Sequence, residues 1–181
     1  MATVRALFAI LLLGIAGLAE GQRTEATEAS LKAAYLFKFA GYIEWSAADF
    51  ESPAAPIAIG VVGAEDIAAE LTRIVAGRNI AGHPVVVKRL SADDAARGLQ
   101  MLFVGRDTPR AGAVARAAQS QGVLVVTDME RGLEMGGAIN FVSLGERLGF
   151  EVSLESAERS GHRISSRMLS VARRVVPKAG A

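Results

Sequence analysis

Cysteine is absent from all 181 residues, histidine occurs twice, tryptophan once and proline five times. Without cysteine there is no disulfide, no thiolate metal site and no thiol redox sensing, so stability must come from burial. The two histidines, His83 and His162, lie far apart, and neither has a second histidine or a glutamate at metal-ligand spacing. Both are expected at the surface or in loops. There is no G-x-S-x-G elbow and no cysteine to pair with a histidine, so the common nucleophilic arrangements are missing. Carboxylates are scattered, and Asp93-Asp94 and Glu65-Asp66 read as helix starts. Gly60 and Gly63 fall short of the three glycines of a dinucleotide fingerprint, and Glu65 and Asp66 would repel a phosphate there. The pair reads as a tight strand-to-helix turn. No metal, cofactor or catalytic residue is expected.

Long apolar runs are equally scarce, with one exception. Arg5 precedes an uncharged stretch from Ala6 to Ala19, with small residues at Gly17 and Ala19 before Glu20. That pattern predicts a secretory signal peptide over residues 1–19, and the run is short of the roughly 20 residues that span a bilayer. Its removal would take away Arg5 alone among charged residues, leaving 19 basic and 19 acidic. A neutral chain is a poor generic binder of nucleic acid, and no nucleic-acid partner is expected.

Apolar residues make up 51% of the chain and charged residues 22%, enough for one domain with a proper core. Residues 20–26 read as a mobile leader, 27–176 as the domain and 177–181 as a tail. The most distinctive run is Leu31 to Trp45, LKAAYLFKFAGYIEW, where two Phe, both Tyr and the Trp crowd together. Leu31, Ala34, Tyr35, Phe39, Tyr42 and Ile43 fall on one helical face, with Lys32 and Lys38 off it and Thr27 placed to cap the start. This helix either lies on a sheet as core or offers its aromatic surface to a partner.

After a surface connection rich in small residues and proline, PIAIGVVG is an apolar strand and Asp66 to Ala76 a helix stopped by Gly77. HPVVVKRL (83–90), LQMLFVGR (99–106) and GVLVVTDM from Gly122 continue as strands. SADDAARG makes a short helical turn, and a helix opens at Pro109, capped by Asp107 or Thr108, burying Val114, Ala117 and Ala118. Ala138 to Leu144 and Leu148 to Leu154 predict a hairpin turning at Gly145 at an edge of the sheet. The adjacent Gly136 and Gly137 permit either an unusual turn or a close approach by another chain. Glu155 to Ser160 makes a short helix stopped by Gly161, and Ile164, Met168, Leu169, Ala172 and Val175 predict a last helix. The fold class is therefore α/β: a single-domain sandwich with a mostly parallel central sheet flanked by helices and a C-terminal antiparallel hairpin. Along that last helix Arg163, Arg167 and Arg174 would form a basic stripe, either a solvated flank or a docking surface for an acidic partner or anionic lipid.

These stretches together resemble the YfiR family of periplasmic proteins. The likeness is carried by LKAAYLFKFAGYIEW, PIAIGVVG, GRNIAGHPVVVKRL, MLFVG and the closing GGAINFVSLGERLGFEVSLESAERSGHRISSRMLSVA. It implies an exported α/β domain, of a kind that often dimerises. It also implies a regulatory role: binding the periplasmic region of an inner-membrane diguanylate cyclase of the YfiN type, holding it inactive and keeping cyclic di-GMP and biofilm formation low. Members that act as envelope redox sensors use cysteines, and that mode of control does not transfer. Among polar residues within the matching runs, Glu151, Ser165 and Ser166, with Arg163 and Arg167 of the basic stripe, are the candidate partner- or ligand-binding residues. The alternative is a periplasmic small-solute binding module reporting to another membrane receptor or sensor kinase. An exported hydrolase would need a nucleophile or metal set that the residues do not offer.

Overall fold

Five parallel strands form the middle of an eight-stranded sheet in the computed structural model, which describes residues 28–145 and 147–178. The expectations for residues 1–19 and 20–26, for Thr27 and for 179–181 lie outside these residues. In chain order come α1 (28–40), β1 (Ile43–Glu44), a 3-10 turn (Ala47–Asp49), β2 (Ile57–Val62), α2 (Glu65–Val75), β3 (Asn79–Ile80) and β4 (His83–Leu90). Then follow β5 (Met101–Val104), α3 (Ala111–Ser120), β6 (Leu124–Thr127), β7 (Ile139–Leu144), β8 (Arg147–Ser153), α4 (Leu154–Arg159), β9 (Arg163–Ile164), α5 (Ser166–Leu169) and β10 (Arg174–Val176). Among the described residues, no helix is long and apolar enough to cross a membrane.

The sheet runs β10-β8-β7-β6-β5-β2-β4-β3, and the pairings from β4 through β7 are all parallel. β2 and β6 are buried along their whole length, because helices or covering loops lie on both faces. On one face Ile57, Ile59, Met101, Phe103, Leu124 and Ile139 pack against α1 and α2. On the other, Ala58, Val62, Leu102, Val104 and Val125 meet α3 and the covering segment at Ala96 and Leu99. Each fully buried aliphatic or aromatic side chain contributes about 1.5–3 kcal/mol. The α/β sandwich with a mostly parallel sheet and a C-terminal antiparallel pair is thus as expected.

Several local expectations are corrected. In α1 the residues buried against the sheet are Ala29, Ala33, Leu36, Phe39 and Ala40, whereas Leu31 and Tyr42 are exposed and Lys32 is buried. The alanines let the helix lie close to the sheet, which rotates its inner face away from Leu31. The helix also ends at residue 40, and Ile43–Glu44 pairs as a short strand with β9. SADDAARG forms turns without a helix. α3 opens at Ala111, beyond Pro109, and buries Ala115, Ala118 and Gln119 while Ala117 is exposed. Thr108 is not its cap, since the hydroxyl donates to the Val62 carbonyl at 3.2 Å.

The hairpin β7–β8 is antiparallel, with Phe141 opposite Phe150 and Gly145 in the turn at φ +65°. It is not at the edge, because β10 pairs parallel to the outer side of β8. The residues expected to form a last helix divide into β9, the four-residue α5 and β10. Ser165 opens α5 by accepting from the Arg167 N–H at 3.3 Å, and the Arg173 N–H donates to the Phe150 carbonyl at 2.9 Å, turning the chain onto β8. The open backbone groups of β8 and the β-branched Val175 and Val176 favour a strand over one more helical turn.

His162 is buried at 2% exposure, contrary to the surface placement. Its ring meets Trp45 edge-on at 4.9 Å, and its Nε2 lies 2.9 Å from the Gly122 carbonyl, which can only accept, so that nitrogen carries the proton. His83 is half-buried in β4, stacked on Phe50 at 3.9 Å.

Candidate functional site

Ranked by sequence order, the parallel strands β4-β2-β5-β6-β7 stand as 2-1-3-4-5, so the order reverses between β2 and β5. Folds of this type bind ligands outside the carboxyl ends of their strands, near that reversal. Here the reversal itself is closed by contact. A Cβ on Gly63 would strike the Thr108 hydroxyl, and one on Gly105 would strike the Gly63 carbonyl, so the two turns touch backbone to backbone. Gly63 also takes φ +68°, where glycine costs least.

A four-charge cluster lies beside this junction. The Lys32 ammonium, 4% exposed, is 2.7 Å from both the Glu28 and the Asp128 carboxylates. The Arg106 N–H donates to Asp128 Oδ1 at 2.8 Å, and its guanidinium lies 3.3 Å from Asp128 and 3.5 Å from Glu28. The hydrogen bond from Lys32, with the nearby Lys32 and Arg106 charges, holds the Glu28 carboxyl below its ordinary value of 4.5 despite partial desolvation. The cluster ties α1 to the ends of β5 and β6 and lines a crevice of about 310 Å³.

Past the cluster the cleft widens into a groove of about 1070 Å³. Its floor is the end of β6 with Asn140 of β7. One wall is the start of α3 with Arg110 and Arg116, and the other carries Glu151 of β8 and Arg174 of β10. The connection 129–137 overhangs it, with Met129, Leu133 and Met135 half-buried. That connection is anchored from beneath. The Gln119 side-chain amide donates to the Gly136 carbonyl at 3.2 Å and to the Ser156 hydroxyl, which itself donates to the same carbonyl at 2.8 Å. Gly136 sits at φ +110°, and a Cβ on Gly137 would crowd Gly132 and Thr127. The glycine pair therefore serves a turn that the chain's own side chains approach closely.

Of the candidate residues, Glu151 alone belongs to the groove. It accepts two bonds from the Arg174 guanidinium, at 2.7 and 3.1 Å, and this pairing raises the Arg174 pKa above its ordinary value. Arg163 of β9, Ser166 and Arg167 of α5 and Ser165, the cap between them, lie outside the residues that line the groove. Arg163 stands opposite Glu44, Ser166 and Arg167 are exposed, and Tyr42 and Val171 expose apolar surface on the adjoining segments. The arginine stripe does not exist as such, because Arg163, Arg167 and Arg174 belong to three elements. Sequence reasoning missed Lys32, Asp128, Arg116 and Asn140. Asn140 had a signal in the glycines at 132, 136 and 137, which flank an apolar strand too densely for a plain turn.

A three-layer α/β domain with an open groove at its strand ends, and no grouping of metal-type ligands among the described residues, is the class these features define. Residues 29–173 match the YfiR/HmsC-like family, and the chain belongs to that family. No curated protein matches it. Among solved structures it is similar to a conserved domain protein from Vibrio cholerae, at 16% identity and a TM-score of 0.47, over 66% of this chain and 54% of that one. It is also similar to an ABC domain in complex with L-Trp from Streptococcus pneumonia, at 16% identity and a TM-score of 0.48, over 66% and 55%. The chain thus spans about half the length of those structures.

Proposed function

We propose that this protein is a non-enzymatic periplasmic regulator that binds the sensor region of a membrane diguanylate cyclase and represses it, lowering cyclic di-GMP and biofilm formation. The family match over residues 29–173 carries the reading. A binder of this kind acts by its differential affinity for the inactive conformation of the partner. The side formed by β9 and α5 suits docking: Arg163, Ser166 and Arg167 are exposed there, with Val171 at 70% exposure and Tyr42 at 40% supplying apolar contact. Interfaces of this composition, with aromatic and arginine anchors, are common in protein recognition. Homodimerisation is part of the same proposal. The test is to measure cyclic di-GMP in a strain deleted for this gene and in one carrying Arg167→Glu. A rise in the deletion strain that the charge reversal partly reproduces, with the protein level unchanged, is the expected result. An unaltered nucleotide level after deletion would defeat the proposal.

A further inference from the structure

α3 begins without the usual cap. Arg110 at its N-cap sits at φ 53°, ψ 35° and makes no side-chain capping bond, and the first turn has no acidic residue. Helix starts ordinarily place an oxygen-bearing side chain there, because the opening N–H groups need an acceptor. Among the described residues the Gly112 N–H finds none. The Arg116 guanidinium folds back over this turn, with Nη1 3.4 Å from where a Gly112 Cβ would stand, and no carboxylate of the described residues lies within ion-pair distance. A cation at the positive end of a helix is unfavourable unless something negative joins it.

The second observation comes from the floor of the groove. Asn140 is only 4% exposed, and its Oδ1 accepts from the Thr127 hydroxyl at 2.7 Å and the Met129 N–H at 3.2 Å. Those two donors fix the orientation of the amide, so Nδ2 points the other way. Among the described residues Nδ2 has no partner, yet it is not sealed off, since His162 Nδ1 is the buried side-chain atom left unsatisfied. Asn140 lines the groove, so a donor that the described residues leave free borders it. The backing is tight, because a Cβ on Gly132 would strike both Asn140 and Thr127.

We propose that the groove binds a small organic oxyanion. Its carboxylate or phosphate head is held by Asn140 Nδ2, the Arg116 guanidinium and the opening turn of α3, and its apolar body rests on Met129, Leu133 and Met135. The lining carboxylates do not oppose this as a group: Asp128, Glu134 and Glu151 are each already paired with an arginine, leaving Glu130. The space is ample, since small-molecule sites occupy about 300–1,000 Å³. The site stands whether or not the partner is a cyclase.

The test is titration calorimetry of the purified full chain with phenyl phosphate, benzoate and inorganic phosphate. Saturable binding of at least one of the two organic anions is expected, with inorganic phosphate weaker. Arg116→Gln, a surface change that leaves the melting curve in place, should weaken it by about tenfold, the worth of one charge-assisted contact. Asn140→Asp keeps the acceptor for Thr127 and Met129 but exchanges the donor edge for a carboxylate, and should abolish it. Arg78→Gln, on the Phe37 ring away from the groove, should change nothing. The proposal is overturned if neither organic anion saturates, if folded Arg116→Gln binds as the wild type does, or if inorganic phosphate binds as tightly as both.

Discussion

Lys32 shows how much a single side chain can carry. It lies 96 residues from Asp128 in sequence, yet its ammonium is buried against that carboxylate. Removing one member of a buried pair leaves the other uncompensated, at a cost of 3–5 kcal/mol in measured cases. Arg106 still faces Asp128, so Lys32→Met should cost about 3 kcal/mol, at the lower end. Urea unfolding reads this directly, and a loss below about 0.5 kcal/mol, the range of ordinary surface substitutions, would show the cluster to be incidental. Glu28 gives the cluster a pH dependence. Its folded pKa is depressed, so its contribution is complete above the ordinary value of 4.5 and fades as pH falls through the lower folded value. Glu28→Gln should therefore flatten the acid limb of a stability profile below about pH 4.5 and leave the slope near neutrality unaltered. None of this was legible in the sequence. A lysine off the apparent apolar face reads as solvated, and no local pattern joins residue 32 to residue 128.

At the scale of elements the outcome is mixed, for reasons that differ between segments. β2, β4 and the β7–β8 hairpin were legible because apolar runs of β-branched residues, bounded by glycine or proline, have few competing conformations. The register of α1 was not, since Leu31 and Tyr42 have the spacing of a core face while Ala29, Ala33 and Leu36 make the actual contact. Phe39 is common to both readings. It lies 5.5 Å from Phe141 and 4.9 Å from Phe150, and with Tyr35, 6.0 Å from both rings, it fixes α1 to the hairpin. Phe39→Ala should lose about 3–5 kcal/mol, and hydrogen exchange should quicken in α1 before it does in β5 and β6. Uniform loss of protection across all three would instead mean that α1 has no separate mode of opening. The segment after Ile164 was misread because its apolar spacing suits a helix. Nothing local announces that β8 has an unpaired edge waiting for it.

For the molecule as a whole, that last pairing covers one side of the sheet's antiparallel end. Val175 lies opposite Val152 and Val176 opposite Ser153, so the three residues of β10 cover the outer side of β8. An uncovered strand edge invites pairing with another chain. Truncation before Arg174 should accordingly shift the protein toward aggregates in light scattering, and a truncated protein that stays dispersed would show the edge to be harmless. One wall of the groove also depends on this pairing, because Arg174 reaches Glu151 from it. A chain delivered N-terminus first, from a ribosome or through an export channel, emerges with five parallel strands complete while β8 still waits for its neighbour. β10 acts as a latch, and until it is in place the outer side of β8 stays open to any passing strand.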